Sequence, residues 1–344
     1  METDHAVRVG DARELSLPGE SVELVVTSPP YPMIEMWDDI FASLDPDIGT
    51  ALDAGDGEAA FEAMHDALEA VWTELARVLV PGGIAAINVG DATRTLDRFR
   101  QYPNTAEITR RMTELGFDPL PDIVWRKPAN SAAKFMGSGM VPPNAYPTLE
   151  HESILLFRKG ARRSFPPGDE TRYESAYFWE ERNRWFSDLW EVRGTAQDLD
   201  AGLRDRSGAF PLAVPLRLIR MFSVRGDTVL DPFWGTGTTT LAAMLAARNS
   251  VGYEIDPDLR AAFDGRVEDI PERSRDRTRE RLARHREWVA EQGEGGADLA
   301  YENNHYEMPV RTKQERQLRL YAVEVIKGTD DGYTATHVPI EEFA

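Results

Sequence analysis

Ser28-Pro29-Pro30-Tyr31 follows the apolar run Val22–Thr27 and is the segment of this 344-residue chain whose residue types speak most directly of chemistry. Proline fixes φ and has no N–H to donate. The carbonyls of the turn are therefore free to accept hydrogen bonds, and the Ser28 hydroxyl adds another acceptor. Such acceptors suit an exocyclic amine, whose lone pair is delocalised into its ring and whose nucleophilicity is poor. Held by Ser28 Oγ and the Pro29 carbonyl, the nitrogen becomes more tetrahedral and can be aimed at an electrophile. Tyr31 offers an aromatic face for stacking. No metal, covalent intermediate or strong base is required; positioning and electrostatics suffice. An isolated tetrapeptide of this kind would read equally well as a surface polyproline turn.

A second segment gives it a partner. Val229-Leu230-Asp231-Pro232-Phe233-Trp234-Gly235-Thr236-Gly237-Thr238-Thr239 reads as a strand, a glycine turn and a helix start. Glycine lets backbone approach a ligand where a Cβ would clash, and free N–H groups at a helix start favour an anionic group. About twenty residues later, Gly252-Tyr253-Glu254 ends another strand-like run. An acidic residue at that distance suits ribose hydroxyls. The bland reading of Glu254 is a solvated carboxylate at a strand end.

The elements that must carry these turns alternate. Apolar runs at Ala6–Val9, Val22–Thr27, Ile84–Val89, Asp122–Trp125, Ser153–Phe157, Thr228–Leu230 and Val251–Tyr253 are separated by helical patterns. This is the signature of an α/β fold with a mostly parallel sheet. Phe61–Leu79 is the clearest helix, with Phe61, Met64, Leu68, Val71, Trp72, Leu75 and Leu79 on one stripe, stopped by Pro81-Gly82-Gly83. Leu212–Phe222 and Thr239–Ala247 also read as helices. Residues 44–60, rich in Asp, Gly and Ala, read as an exposed loop. Residues 258–344 read as a tail: a solvated Arg/Glu helix at about Pro271–Glu291, a glycine break at Gly293–Gly296, and a hairpin of Leu320–Ile326 with Tyr333–Val338.

Composition narrows the chemistry. The chain has no cysteine, which excludes disulfides, thiolate metal sites and cysteine nucleophiles. No run of about 18 apolar residues suggests a membrane span, and the polar, acidic N-terminus is unlike a signal peptide; the expected location is cytoplasmic. The net charge of −20 opposes a phosphate-binding role. Two features soften that. The cations are 34 Arg and only five Lys, a pattern resembling halophilic proteins, and at about 1 M salt the Debye length is only about 3 Å. Residues 122–226 also carry 16 Lys+Arg against 13 Asp+Glu, so the excess acid lies elsewhere.

Together these motifs resemble the N4-cytosine/N6-adenine DNA methyltransferase family, in the permuted arrangement where the catalytic motif precedes the cofactor motif. The resemblance covers about residues 6 to 257. It implies a Rossmann-like S-adenosyl-L-methionine-dependent fold with a seven-stranded, mostly parallel sheet. It implies a catalytic set of Ser28, Pro29, Pro30 and Tyr31, with Tyr31 stacking on a base rotated out of double-stranded DNA. Asp231, Pro232, Phe233, Gly235, Gly237, Thr238, Thr239 and Glu254 are then cofactor residues. Gly10-Asp11-Ala12 resembles the element that touches the cofactor adenine, which brings in Asp11. Gly208-Ala209-Phe210-Pro211 resembles the element at the methionine end, which brings in Phe210 and Pro211. Ile123–Pro128 and His151–Phe157 match further family segments.

Methylation at cytosine C5 needs a cysteine nucleophile and is excluded. Serine at the first motif position resembles cytosine-N4 enzymes; adenine N6 is the alternative. Residues 158–208 fall where target recognition is expected, with help from the loop Lys127–Glu150, where Asn130, Ser131 and Lys134 could border the pocket. Arg162, Arg163, Arg172, Arg182, Arg184, Arg193, Arg204 and Arg206 could contact phosphates or guanines, although at least half are expected to pair with Glu174, Glu180, Glu181 and Asp188. Tyr177, Phe178, Trp179, Trp185, Phe186 and Trp190 are expected to form a local core. The tail could dimerise or shape the recognition face, and a cognate restriction endonuclease could accompany the chain. An RNA methyltransferase fits less well, because the first strand begins almost at Met1. A non-catalytic binding module fits less well, because Ser28, Pro29, Tyr31, Gly235 and Gly237 are all present.

Overall fold

The computed structural model describes residues 1–127, 143, 146–193, 210–295 and 299–340. Strands β1 (Glu2–Val9) and β2 (Val22–Thr27) are followed by helices α1 (Asp38–Leu44), α2 (Pro46–Asp53) and α3 (Gly57–Val78). Next come β3 (Leu79–Val89), the small hairpin β4 (Ala92–Thr95) with β5 (Phe99–Tyr102), helix α4 (Asn104–Glu114), β6 (Phe117–Arg126) and β7 (His151–Lys159). The short elements α5 (Glu170–Glu174), α6 (Trp179–Trp185) and β8 (Leu189–Glu191) precede α7 (Ala213–Phe222), β9 (Thr228–Asp231), α8 (Thr238–Ala246) and β10 (Asn249–Glu254). The rest comprises α9 (Pro257–Ala262), α10 (Asp264–Val267), α11 (Ile270–Glu294), β11 (Tyr301–Glu302), β12 (Pro309–Val310), β13 (Tyr321–Thr329) and β14 (Gly332–Pro339).

One sheet has the order β13-β14-β1-β10-β9-β2-β3-β7-β6-β8. The seven predicted runs form its continuous middle. From β1 to β3 every neighbour is parallel, whereas β7 is antiparallel to both β3 and β6. The expected seven strands become ten. The tail hairpin pairs through β14 with β1, and β8 pairs with β6. Open sheet edges invite further pairing, and alternation of apolar residues along a strand does not say which edge it will join.

The central strands are buried on both faces, as parallel strands flanked by helices must be. Val25 packs with Met64, Leu68, Val71 and Trp72 of the α3 stripe, whereas Leu24 and Val26 point to the other face with Ile219 of α7 and Leu241 of α8. The period-two alternation of a strand therefore feeds two separate cores.

Residues 44–60 are not the loop that their composition suggested. Asp45 caps α2 by accepting from the Asp47 amide, with Pro46 in the first turn, and Asp56 caps α3 by accepting from the Ala59 amide. Asp and Pro were start signals here, not loop filler, and the buried Ile48 anchors the turn to the core. The tail helix also departs from a solvated rod: Leu282 and His285 are buried, and Arg281 forms a buried bidentate pair with Glu181 of α6.

Candidate active site

The carboxyl ends of β1, β10, β9 and β2 lie side by side, so Asp11, Glu254, Asp231 and Ser28 fall along one edge of the sheet. Ligands of open α/β sheets bind at this edge.

Asp231 ties the two turns together. Its Oδ1 accepts from the Thr27 hydroxyl at 2.7 Å and its Oδ2 from the Thr239 hydroxyl at 2.6 Å. Thr27 immediately precedes Ser28, so a single buried carboxylate links the end of β2 to the first turn of α8. Burial pushes its pKa up to about 6, against the pull of the three donors that reach it from Thr239, Thr27 and Phe233. The folded chain therefore holds this proton more tightly than the unfolded chain, whose Asp titrates near 3.8. The contribution of Asp231 to stability should grow as pH falls from about 6 towards 4, and it is lost as pH rises through about 6. Thermal unfolding of the chain against Asp231→Asn, compared at pH 7 and pH 5, should show the wild type gaining on the variant at the lower pH. A constant gap would contradict the raised pKa.

The glycine turn serves two purposes. At Gly237 φ is +77° and an added Cβ would lie 2.4 Å from the Phe263 ring, so glycine is needed for packing. At Gly235 φ is +53° and an added Cβ meets nothing nearer than the Phe233 carbonyl at 3.9 Å. That open side is where a ligand can approach. The N–H groups are less free than expected: the Gly235 amide donates to Glu254 Oε2 at 2.7 Å and the Gly237 amide to the Trp234 carbonyl at 2.9 Å. The other Glu254 oxygen accepts from the Asp256 amide. Glu254 is thus a buried clamp between β10 and the turn, not the solvated carboxylate of the bland reading.

Asp11 sits next to Glu254, whose carbonyl receives the Gly10 amide at 2.9 Å. Its carboxylate is partly exposed and forms a bidentate pair with Arg13. Pro232, Thr238 and Thr239 are buried in the turn, and Phe233 meets the Trp72 ring edge-on. Phe210 and Pro211 are buried at the start of α7, with Phe210 in the core cluster that holds Leu24 and Val26. Gly208 and Ala209 lie outside the described residues.

The Ser28–Tyr31 turn is held from three sides. Tyr31 Oη hydrogen-bonds with Ser28 Oγ at 3.1 Å, donates to Glu152 Oε2 at 3.0 Å and accepts from the Asn88 amide at 2.8 Å. Asn88 also donates to Glu152 at 2.7 Å, and Lys127 pairs with the other Glu152 oxygen. Burial and the Glu152 charge raise the Tyr31 pKa well above its ordinary value, so the phenol stays protonated. Among the described residues, nothing donates to the Pro29 carbonyl, consistent with an acceptor left for a ligand. Behind the turn, the Asn104 amide donates to the carbonyls of Pro32 and Gly90, while its oxygen meets His65 Nε2 at 3.1 Å. Met33, fully buried, is held at φ +67°, a conformation that a bulky side chain adopts only when its surroundings enforce it.

Asn88, Glu152, Asn104 and His65 were not singled out from sequence. Asn88 and Glu152 were polar interruptions at the ends of β3 and β7, a usable signal; His65 and Asn104 on α3 and α4 carried none.

In the expected recognition segment, Phe178, Trp185 and Trp190 are core residues as anticipated, whereas Phe186 is exposed and Tyr177 and Trp179 are half-buried. The predicted arginine pairing is overturned. Glu174 binds Arg225, Glu181 binds Arg281 and Glu180 meets His285, all partners from outside the segment. Only Arg163 is paired, with Asp227; Arg162, Arg172, Arg182, Arg184 and Arg193 are exposed and have no ion-pair partner among the described residues. Arg204, Arg206, Asn130, Ser131 and Lys134 lie outside those described.

A family model described as DNA methylase, covering the N6 and N4 types, matches residues 22–263. The chain belongs to this family. Type II methyltransferase M.MthZI of Methanothermobacter thermautotrophicus is 45% identical over 328 residues, covering 93% of this chain and 91% of the relative. M.MjaI of Methanocaldococcus jannaschii is 49% identical over 280 residues, covering 78% and 92%. Among solved structures, TTHA0409 from Thermus thermophilus, complexed with S-adenosyl-L-methionine, aligns with TM-score 0.61 and 35% identity, covering 78% of this chain and 95% of that one. The cytosine-N4-specific PvuII DNA methyltransferase shares the fold at TM-score 0.56 and 20% identity. On adjoining strand ends, this methylase places the open side of Gly235 beside two buried carboxylates, Asp231 and Glu254.

Proposed function

We propose that this methylase transfers a methyl group to the exocyclic N4 of cytosine in double-stranded DNA, with the target base rotated into the site. The observation that most supports this reading is the turn Ser28-Pro29-Pro30-Tyr31, bonded through Thr27, Asp231 and Thr239 to the glycine turn. S-adenosyl-L-methionine, bound at that turn, supplies a methyl group activated by its sulfonium charge. Gly235, Gly237, Thr238 and Thr239 with Pro232 and Phe233 would cradle the donor, Glu254 and Asp11 would face its nucleoside part, and Phe210-Pro211 its methionine end. Ser28 Oγ and the Pro29 carbonyl accept the two N–H bonds of the target amine, which frees its lone pair from the ring. Tyr31, fixed at its hydroxyl by Glu152 and Asn88, presents its ring to the base.

Residues 1–257 would form the catalytic part in permuted motif order, with 158–208 inserted for target recognition and 258–344 as an extension. The exposed arginines of that insertion offer phosphate and guanine contacts that the −20 net charge otherwise discourages. The Type II names of the relatives favour a role beside a restriction endonuclease. Among the described residues, no helix is long and apolar enough to cross a membrane.

Serine at position 28 favours cytosine, and adenine N6 is the second reading. Expression in a methylation-deficient host, followed by DNA hydrolysis and mass spectrometry, distinguishes them. N4-methylcytosine is expected; N6-methyladenine would establish the second reading, and unmodified DNA from a chain that binds the donor would remove DNA as substrate.

A further inference from the structure

A cavity of about 40 Å³ lies where α5, α7, the end of α8, α11 and the segment entering β13 meet, away from the site above. Five arginines line it, Arg220, Arg225, Arg248, Arg281 and Arg319, against one lining carboxylate, Glu174. Glu174 pairs with Arg225. Just outside the lining, both Glu181 oxygens are taken by Arg281. Arg248 is buried and has no carboxylate partner: its Nε donates to Ser223 Oγ at 3.0 Å, Nη2 to the Ser223 carbonyl at 2.6 Å and Nη1 to the Ala246 carbonyl. Arg220 has neither a hydrogen-bond nor an ion-pair partner among the described residues.

Five guanidiniums therefore line the cavity against one lining carboxylate, with Glu181 just outside and with Asp227, itself paired with Arg163, and Glu170 acting on Arg248 and Arg225 from beyond the lining. A guanidinium does not escape burial by losing its proton, and an uncompensated buried charge is costly. The same frustration appears in titration: burial and the neighbouring guanidiniums hold Arg220 well below its ordinary value, and Arg248 at about 9. Water could fill the space but would not offset the charge.

We propose that this cavity is a binding site for one small inorganic anion, a halide or a tetrahedral oxyanion such as phosphate, held by Arg220, Arg248 and Arg319. The volume exceeds what one water needs and suits a single small ion. Guanidinium forks match both spherical and oxygen-bearing anions, the latter in bidentate fashion. The arginines come from α7, the α8–β10 connection, α11 and the approach to β13, so the anion ties the extension to the methylase body. Binding to the folded chain alone stabilises it by mass action.

The test is thermal unfolding of the full chain at matched ionic strength in sodium gluconate, chloride and phosphate. Bulky gluconate serves as the reference that does not fit. Phosphate also stabilises proteins generally, so the readout is the shift in wild type minus the shift in Arg220→Gln. A surplus of about 2–4 °C in wild type is expected; chloride alone, phosphate alone or both identify the anion class. In gluconate the variant should be at least as stable as wild type, because it lacks the unpaired cation. If Arg220→Gln does not fold, Arg319→Gln takes its place, since that side chain lies towards the surface. Equal shifts in wild type and variant for both anions would overturn the proposal, as would a cavity without anion density in crystals soaked separately in bromide and in phosphate.

Discussion

Tyr31→Ala is expected to lower turnover by about 10²- to 10³-fold, the scale associated with lost positioning and lost polar preorganisation, with donor affinity nearly unchanged. The separation follows from the bonding. The Tyr31 hydroxyl touches Ser28, Asn88 and Glu152, none of which belongs to the glycine turn. Removing the ring deletes the proposed stacking surface and leaves the Asn88 amide and the Glu152 carboxylate to rearrange around Ser28. Tyr31→Phe separates the two effects, since it keeps the ring and loses only the hydroxyl bonds. It should fall between wild type and the alanine variant. Single-turnover rates on DNA, paired with calorimetry of donor binding, provide the check. Unchanged turnover in Tyr31→Ala would remove this residue from the catalytic set; equal losses of turnover and donor affinity would make it a donor-binding residue instead.

Gly235→Val should abolish measurable donor binding, an affinity loss of at least about 100-fold, while the chain still folds. A non-glycine residue in the left-handed region costs roughly 1–2 kcal/mol, and a branched one more. Yet the added Cβ meets no protein neighbour within 3.9 Å. The valine fills the space that the proposed site leaves for the ligand. Gly237 makes the contrasting case. There even alanine would drive a Cβ to 2.4 Å from Phe263 and 2.6 Å from Trp234, so Gly237→Ala should lower thermal stability itself. Calorimetry and circular dichroism on both variants give the comparison. Normal donor affinity in folded Gly235→Val would sink the assignment of the turn.

How much of this was legible in the chain differs between residues. The strand-turn segments Val22–Tyr31 and Val229–Thr239 announced themselves because their signals are local: an apolar run, then prolines or glycines whose backbone limits are intrinsic. The α3 stripe was equally legible, because helical periodicity belongs to consecutive residues. Residues 44–60 misled because composition was weighed above Asp45 and Asp56, each of which caps the helix that starts immediately after it. The arginine pairs failed for another reason. Glu174 and Glu181 chose Arg225 and Arg281, 51 and 100 residues away, and no spacing rule reaches that far.

By itself, then, the sequence determined the fold class, the order of the strands along the chain and the two strand-end turns proposed as the site, since each rests on conformational limits of a few adjacent residues. Only the tertiary structure decided what surrounds those turns. Asp231 became a bridge because β9 lies beside β2, and Tyr31 found Asn88 and Glu152 because the end of β3 and the start of β7 meet at the same edge. The tail hairpin became an edge of the central sheet by pairing with β1. Each of these depends on which strands become neighbours, a choice made by the burial of both sheet faces at once and written in no single stretch of residues.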